Sequence, residues 1–258
     1  MAVDFSFRSS GIFNSTYPTT HIEGLKPSEM LDLSNIDRIL KDTFEEEFAR
    51  GYVGIEAAPI GQTYFMSTDI NGKIFVNFAS SRKGFDAGTS LVNAFEKLKT
   101  GQSLTECEEY SIEILWHEIL HNKSKNTVSL PPTDANDVGF KRVVAETINQ
   151  LVARKTYPGF LKRLGGTAQH TEWVLDNGYA YNYTVTNLRK ILSKLNIDED
   201  VFVYKANESL MNDYTDFDEK IKNLLVKMGK RKDSWKVIQT YKNIDNKDFE
   251  HYLKILNK

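Results

Sequence analysis

Cysteine is nearly absent from this 258-residue chain, with Cys107 the single one. That excludes a disulfide framework and a cysteine-rich zinc ribbon, both of which need several thiols. No apolar run reaches about 18 residues, so no membrane-spanning helix is expected. Neither sign of charge is in excess: 33 Lys and Arg face 35 Asp and Glu, for a net charge of −2. A near-neutral balance gives no basic footprint for nucleic acid. No internal repeat and no low-complexity segment is visible. The opening MAVDFSFRSSGIF lacks a basic segment followed by an apolar one and does not read as a signal peptide. With Met1 as the native start, the expected compartment is the cytoplasm, with no membrane partner.

What is present suits a folded protein. Hydrophobic residues make up 40% of the chain and aromatics 12%, enough to bury a real core at this length. Residues 1–30 read as irregular, with a short strand at Val3–Phe7. A helix is expected over Ser34–Ala49, ending before Gly51. Tyr64–Ile70 and Lys73–Ala79 flank Asn71-Gly72, the dipeptide that best tolerates a two-residue hairpin turn. Ile74, Val76 and Phe78 alternate with Lys73, Phe75 and Asn77, so one face of that strand is buried.

Helical patterns follow at Thr89–Leu98, Thr105–Asn122, Asp134–Arg154, Thr184–Leu195, around Phe217–Met228 and at Asp248–Leu256. Thr105 with Glu108 forms a capping box. Tyr157-Pro158-Gly159 is expected to keep the third of these segments, Asp134–Arg154, from continuing. Strands first and helices after predict an α+β fold: a small antiparallel hairpin sheet with a mostly helical remainder.

The chemistry lies in Trp116–Asn122, WHEILHN, which contains the HExxH motif His117-Glu118-Ile119-Leu120-His121. Residues four apart on a helix stand on one side, so both imidazoles reach one metal ion. Glu118 projects about 100° away, where it can hold a water. Ile112, Leu115, Trp116, Ile119 and Leu120 form a broad apolar stripe on this helix. Tyr110 and Ile114 accompany the histidines on the other side, so the helix is expected to lie between a core and a cleft.

In these residues the chain resembles the zincin metallopeptidases, firmly over the HExxH helix and loosely over residues 60–155. The resemblance implies a zincin-like core of residues 30–200 within one domain spanning 1–258, and a helical C-terminal extension over 201–258. It implies Zn2+ held by His117 and His121, with Glu118 as general base. A catalytic zinc takes three protein ligands and keeps one position open. The longer pattern HExxHxxGxxH is excluded, because Ser124 and Thr127 stand where it needs Gly and His, and Lys125 is no ligand either. Cys107 precedes His117 by ten residues on one helix, about 15 Å along the axis, and cannot share its ion.

The gluzincin branch draws its third ligand from a downstream helix. Glu146, 25 residues after His121, fits that place as the only charge on its helical stripe. Asp134, Asp137 and His170 are the alternatives. Both aspartates also suit a helix start.

Gln150 and Glu113, one turn from Glu146 and His117, are candidates to orient the ligands. Tyr179, Tyr181 and Tyr183 are candidates to stabilise an oxyanion, or simply packed aromatics. The stretch Gly229–Lys236 reads as a solvated connector. The expected function is zinc-dependent hydrolysis of a peptide or protein substrate, with the peptide pairing along Lys73–Ala79 as an edge strand, or alternatively along Tyr64–Ile70. The rivals are a catalytically silent zincin-fold binding module and a helical interaction protein in which the motif has no chemistry.

Overall fold

The computed structural model describes residues 20–21, 33–69, 71–123, 135–212, 217–239, 251 and 254. Among them the fold is α+β and mostly helical. Two short three-stranded sheets, β1(Thr20–His21)-β5(Ser80–Arg82)-β6(Phe85–Asp86) and β2(Gly54–Ala57)-β4(Lys73–Val76)-β3(Met66–Thr68), precede most of the helices. The expected strand at Val3–Phe7 lies outside the described residues, as does nearly all of Asp248–Leu256. No described helix is long and apolar enough to cross a membrane.

The chain divides into two compact units, and the division falls inside one unbroken helix. The first unit comprises Met1–Lys123 and Ala153–Tyr179. It holds both sheets, α1 (Ser34–Phe44), α2 (Ala87–Lys99), α3 (Glu106–Asn122) and α5 (Thr171–Asn177). It also holds the end of α4, which spans Ala135–Arg163. Helix α1 buries Ile36, Leu40 and Phe44, and a 3-10 turn at Glu45–Glu47 replaces its expected last turn. Helix α2 starts at Asp86, whose carboxylate accepts the Thr89 N–H at 3.0 Å. The second unit holds the start of α4, then α6 (Asn182–Lys194), α7 (Glu199–Asn212), α8 (Phe217–Lys227) and α9 (Ser234–Gln239). These last four pack in sequence around Leu188, Ile191, Phe202, Ile221, Leu225 and Trp235. Trp235 lies within the expected connector and is buried as α9 begins, whereas Gly229–Asp233 stay exposed or half-exposed.

The hairpin forms with two corrections. Thr68 pairs with Ile74, and the Asp69 N–H reaches the Lys73 carbonyl at 2.9 Å. Lys73 therefore faces Asp69 across the turn, one residue earlier than a two-residue turn at Asn71-Gly72 requires. Gly72 takes φ +91°, and the Asp69 carboxylate accepts the N–H groups of Asn71 and Lys73, both at 2.9 Å. The left-handed backbone at Gly72 is the one that favours glycine.

The second correction is larger. β4 is central, because β2 pairs with it in parallel, Gly54 to Lys73 and Ala57 to Val76. Both sides of Lys73–Val76 are thus occupied, and it cannot accept a substrate peptide. The edges of this sheet are β2 and β3, and β3 is buried along its whole length.

Helix α4 also departs from expectation by running through Pro158. Proline removes a helical donor and crowds the carbonyl four residues back. Tyr157, Phe160 and Leu161 are all buried around it, and that burial offsets the lost hydrogen bond.

Candidate metal centre

Helix α3 is fixed at both ends. At its start Thr105 Oγ1 accepts the Glu108 N–H at 3.3 Å, while Glu108 Oε2 accepts the Thr105 N–H at 2.7 Å. Lys97 Nζ adds an ion pair to the same oxygen at 2.8 Å. Burial alone raises the Glu108 pKa, but Lys97 and the Thr105 groups outweigh it and hold the carboxyl below its usual range. At the other end the Ala49 N–H donates to the Asn122 carbonyl at 3.0 Å. Between these ends α3 is buried on every side, packed against α2, β3 and α5. The expected apolar stripe is in the core, and so are Glu109, Glu113, His117 and Glu118.

Buried carboxylates need partners, and Glu109 shows how they are used. Its two oxygens accept the Tyr157 hydroxyl at 2.7 Å and the N–H groups of Gln169 at 2.6 Å and His170 at 3.1 Å. Burial, the Glu109 hydrogen bond and the charges of Glu109 and Glu113 push the Tyr157 phenol far above its ordinary value, so it stays a donor. Trp116 Nε1 donates to Thr156 Oγ1 at 2.8 Å, and its ring stacks on Phe160 with centroids 4.8 Å apart. These contacts fix the last part of α4 against α3. Glu146 lies on the same unbroken helix, ten residues before Thr156.

The Nε2 atoms of His117 and His121 lie 3.0 Å apart. His117, His121 and Glu146 each offer one ligand atom, and these atoms all lie within 4.8 Å of one another. His117 and Glu146 are buried and His121 is half-buried. The donor set fits Zn2+: two imidazole nitrogens and one carboxylate, for an ion whose tetrahedral ligands stand about 3.3 Å apart. Glu118, 6% exposed, sits beside His117 in the chain and is buried with it.

The other sequence candidates fall elsewhere. His170 is at the opposite end of α3, its Nε2 3.3 Å from the Leu104 carbonyl and its Nδ1 4.0 Å from Glu106 Oε1. Asp134 lies outside the described residues. Asp137 precedes Glu146 by nine residues on α4, about 13 Å along the axis, too far to share an ion. Cys107 is half-buried, with Sγ 3.7 Å from Tyr179 Oη.

Tyr179 stacks on Phe85 with centroids 4.6 Å apart, the packed-aromatic role weighed for it. Burial, then Cys107 and Glu106, push its phenol up to about 12. Tyr181 precedes α6 with φ +54°, and Tyr183 is 60% exposed. Gln150 and Glu113 are both buried.

Sequence reading missed Glu109, although a charge in line with Ile112, Trp116 and Leu120 on an apolar stripe is a signal for a buried anchor. It also missed Asn122, whose side chain bonds to Thr68 on β3. An open groove of about 500 Å³ along the outer edge of β2, lined by Leu33, Asp37, Ile55 and Lys73 among others, includes none of the motif residues.

No protein-family model matches the chain, and no curated protein or solved structure matches it.

Proposed function

We propose that the protein is a zinc-dependent metallopeptidase with a gluzincin-like site. His117, His121 and Glu146 hold the ion, and a zincin-like core surrounds α3. The observation that carries this reading is the grouping of those three ligand atoms within 4.8 Å, with Glu118 inside the same helical turn as the histidines. When bound, zinc supplies Lewis acidity that polarises a peptide carbonyl and acidifies water toward a pKa of about 7.

The chain's own residues do the rest. His117 and His121 present Nε2 from one face of α3, and the carboxylate of Glu146 balances part of the ion's charge. The Glu118 carboxylate accepts a proton from the attacking water and delivers it to the leaving amine nitrogen, the usual task of a general base placed beside the reacting atoms. Burial of Glu118 limits competing solvent around that proton.

The test is Glu118→Gln. The amide keeps the size of the side chain and cannot take the proton. Zinc content is expected to stay at the wild-type level, while cleavage of a proteome-derived peptide library falls by about a hundredfold or more. Undiminished cleavage by Glu118→Gln would assign the activity to another site.

A further inference from the structure

Asn122 follows the second histidine of the motif and ends α3. Its side chain is 2% exposed. The Nδ2 group donates to Thr68 Oγ1 at 2.7 Å and to the Glu118 carbonyl at 3.1 Å. Thr68 in turn donates its hydroxyl proton to the Lys73 carbonyl at 3.2 Å. The direction of the chain is therefore set: the threonine proton goes to β4, and its oxygen receives the amide. On the other side of the amide the hairpin turn comes close. A Cβ added at Gly72 would stand 3.3 Å from Asn122 Oδ1 and 3.1 Å from the Gly51 carbonyl oxygen.

One side chain thus joins two things, the middle strand of the sheet through Thr68 and the carbonyl of the general base, while its Oδ1 lies near the turn at Gly72 without a hydrogen bond. The Asn122 main chain adds a third link, since its carbonyl accepts the Ala49 N–H at 3.0 Å. His121 is the adjacent residue. A helix end ordinarily frays, because its last carbonyls lack helical donors. Here the final turn carries a metal ligand, and a ligand displaced by a fraction of an ångström binds its ion less well.

Resting on the metal reading above, we propose that Asn122 is a positioning residue of the metal centre. Its amide, locked between Thr68 and the Glu118 carbonyl, holds the last turn of α3 against the hairpin so that His121 and Glu118 keep their places. Thr68 is the partner through which it acts.

The experiment compares Asn122→Ala, Thr68→Val, Thr68→Ser and the double variant Asn122→Ala/Thr68→Val with the unaltered full chain, all metal-stripped. Two quantities are read for each: Zn2+ affinity by competition with a chromophoric chelator, and the melting temperature of the metal-free protein. Asn122→Ala and Thr68→Val are expected to weaken zinc binding about 10- to 100-fold. The double variant should be no weaker than the poorer single, as for two halves of one interaction. Thr68→Ser keeps the oxygen and should keep wild-type affinity.

Variants that melt earlier but bind zinc as tightly as the parent would reduce Asn122 to a structural role and overturn the proposal. Equal losses in Thr68→Ser and Thr68→Val would also overturn it, by showing that the hydroxyl is not what matters. An unaltered chain that binds no zinc overturns the metal reading first and this proposal with it. If Asn122→Ala fails to fold, the Thr68→Val and Thr68→Ser pair decides alone.

Discussion

The imidazoles of His117 and His121 meet edge to face, with planes at 79° and centroids 4.7 Å apart, and with their Nε2 atoms 3.0 Å from each other. Two nitrogens at that separation share a proton when no metal is bound, since one must donate and the other accept. The same pair is spaced for a common ion. His121→Ala is expected to abolish zinc binding, and Glu146→Gln to weaken it by more than about tenfold, because a neutral amide is a poor zinc ligand. His170→Ala should leave affinity unchanged, as that ring lies at the far end of α3. Chelator competition on the three variants checks this, and a large effect of His170→Ala would mean the third ligand has been misassigned.

Glu109 is predicted to be the most costly carboxylate in the first unit to remove. Glu109→Ala leaves the Tyr157 hydroxyl and the N–H groups of Gln169 and His170 without their acceptor. At about 1–3 kcal/mol for each buried polar group left unsatisfied, the loss should reach about 3 kcal/mol or more. Glu109→Gln retains one carbonyl oxygen and should cost less. Urea unfolding measures both, and a loss below about 1 kcal/mol for Glu109→Ala would contradict the role.

The Glu108 carboxyl gives the pH dependence. Its folded pKa lies below the usual 4.5, so the folded state favours the ionised form. Its contribution to stability is present above that usual value and is lost as the pH falls through the folded pKa. Glu108→Gln should cost about 1 kcal/mol near neutral pH, the size of a helix cap. The gap between wild type and variant should close in acid. Unfolding at neutral and acid pH tests it, and a gap that widens in acid would contradict the assignment.

The local elements that carry the candidate site were more legible than the architecture around them. Thr105, Glu108 and the HExxH spacing are local signals, and a capped helix is decided by residues within a few turns. Glu146 stood out for a related reason: it is a lone charge on its stripe. β2 was not legible, because Gly54–Ala57 is four residues long and its parallel partner β4 lies 19 positions on, Gly54 against Lys73. Missing β2 made Lys73–Ala79 look like an edge.

The helix stop expected at Pro158 failed because burial of Tyr157 and Phe160 is a tertiary effect that local proline chemistry does not reveal. The turn at Gly72 was placed correctly, but its register was not: Asp69 faces Lys73, and its carboxylate accepts the N–H groups of Asn71 and Lys73.

The most direct measurement is zinc titration of the metal-stripped full chain, followed by calorimetry and confirmed by elemental analysis. The account predicts saturation at about one ion per chain, as for one three-ligand site, with a rise in melting temperature on binding that His121→Ala removes. A chain that takes up no zinc, or takes it up equally well without His121, would contradict the account.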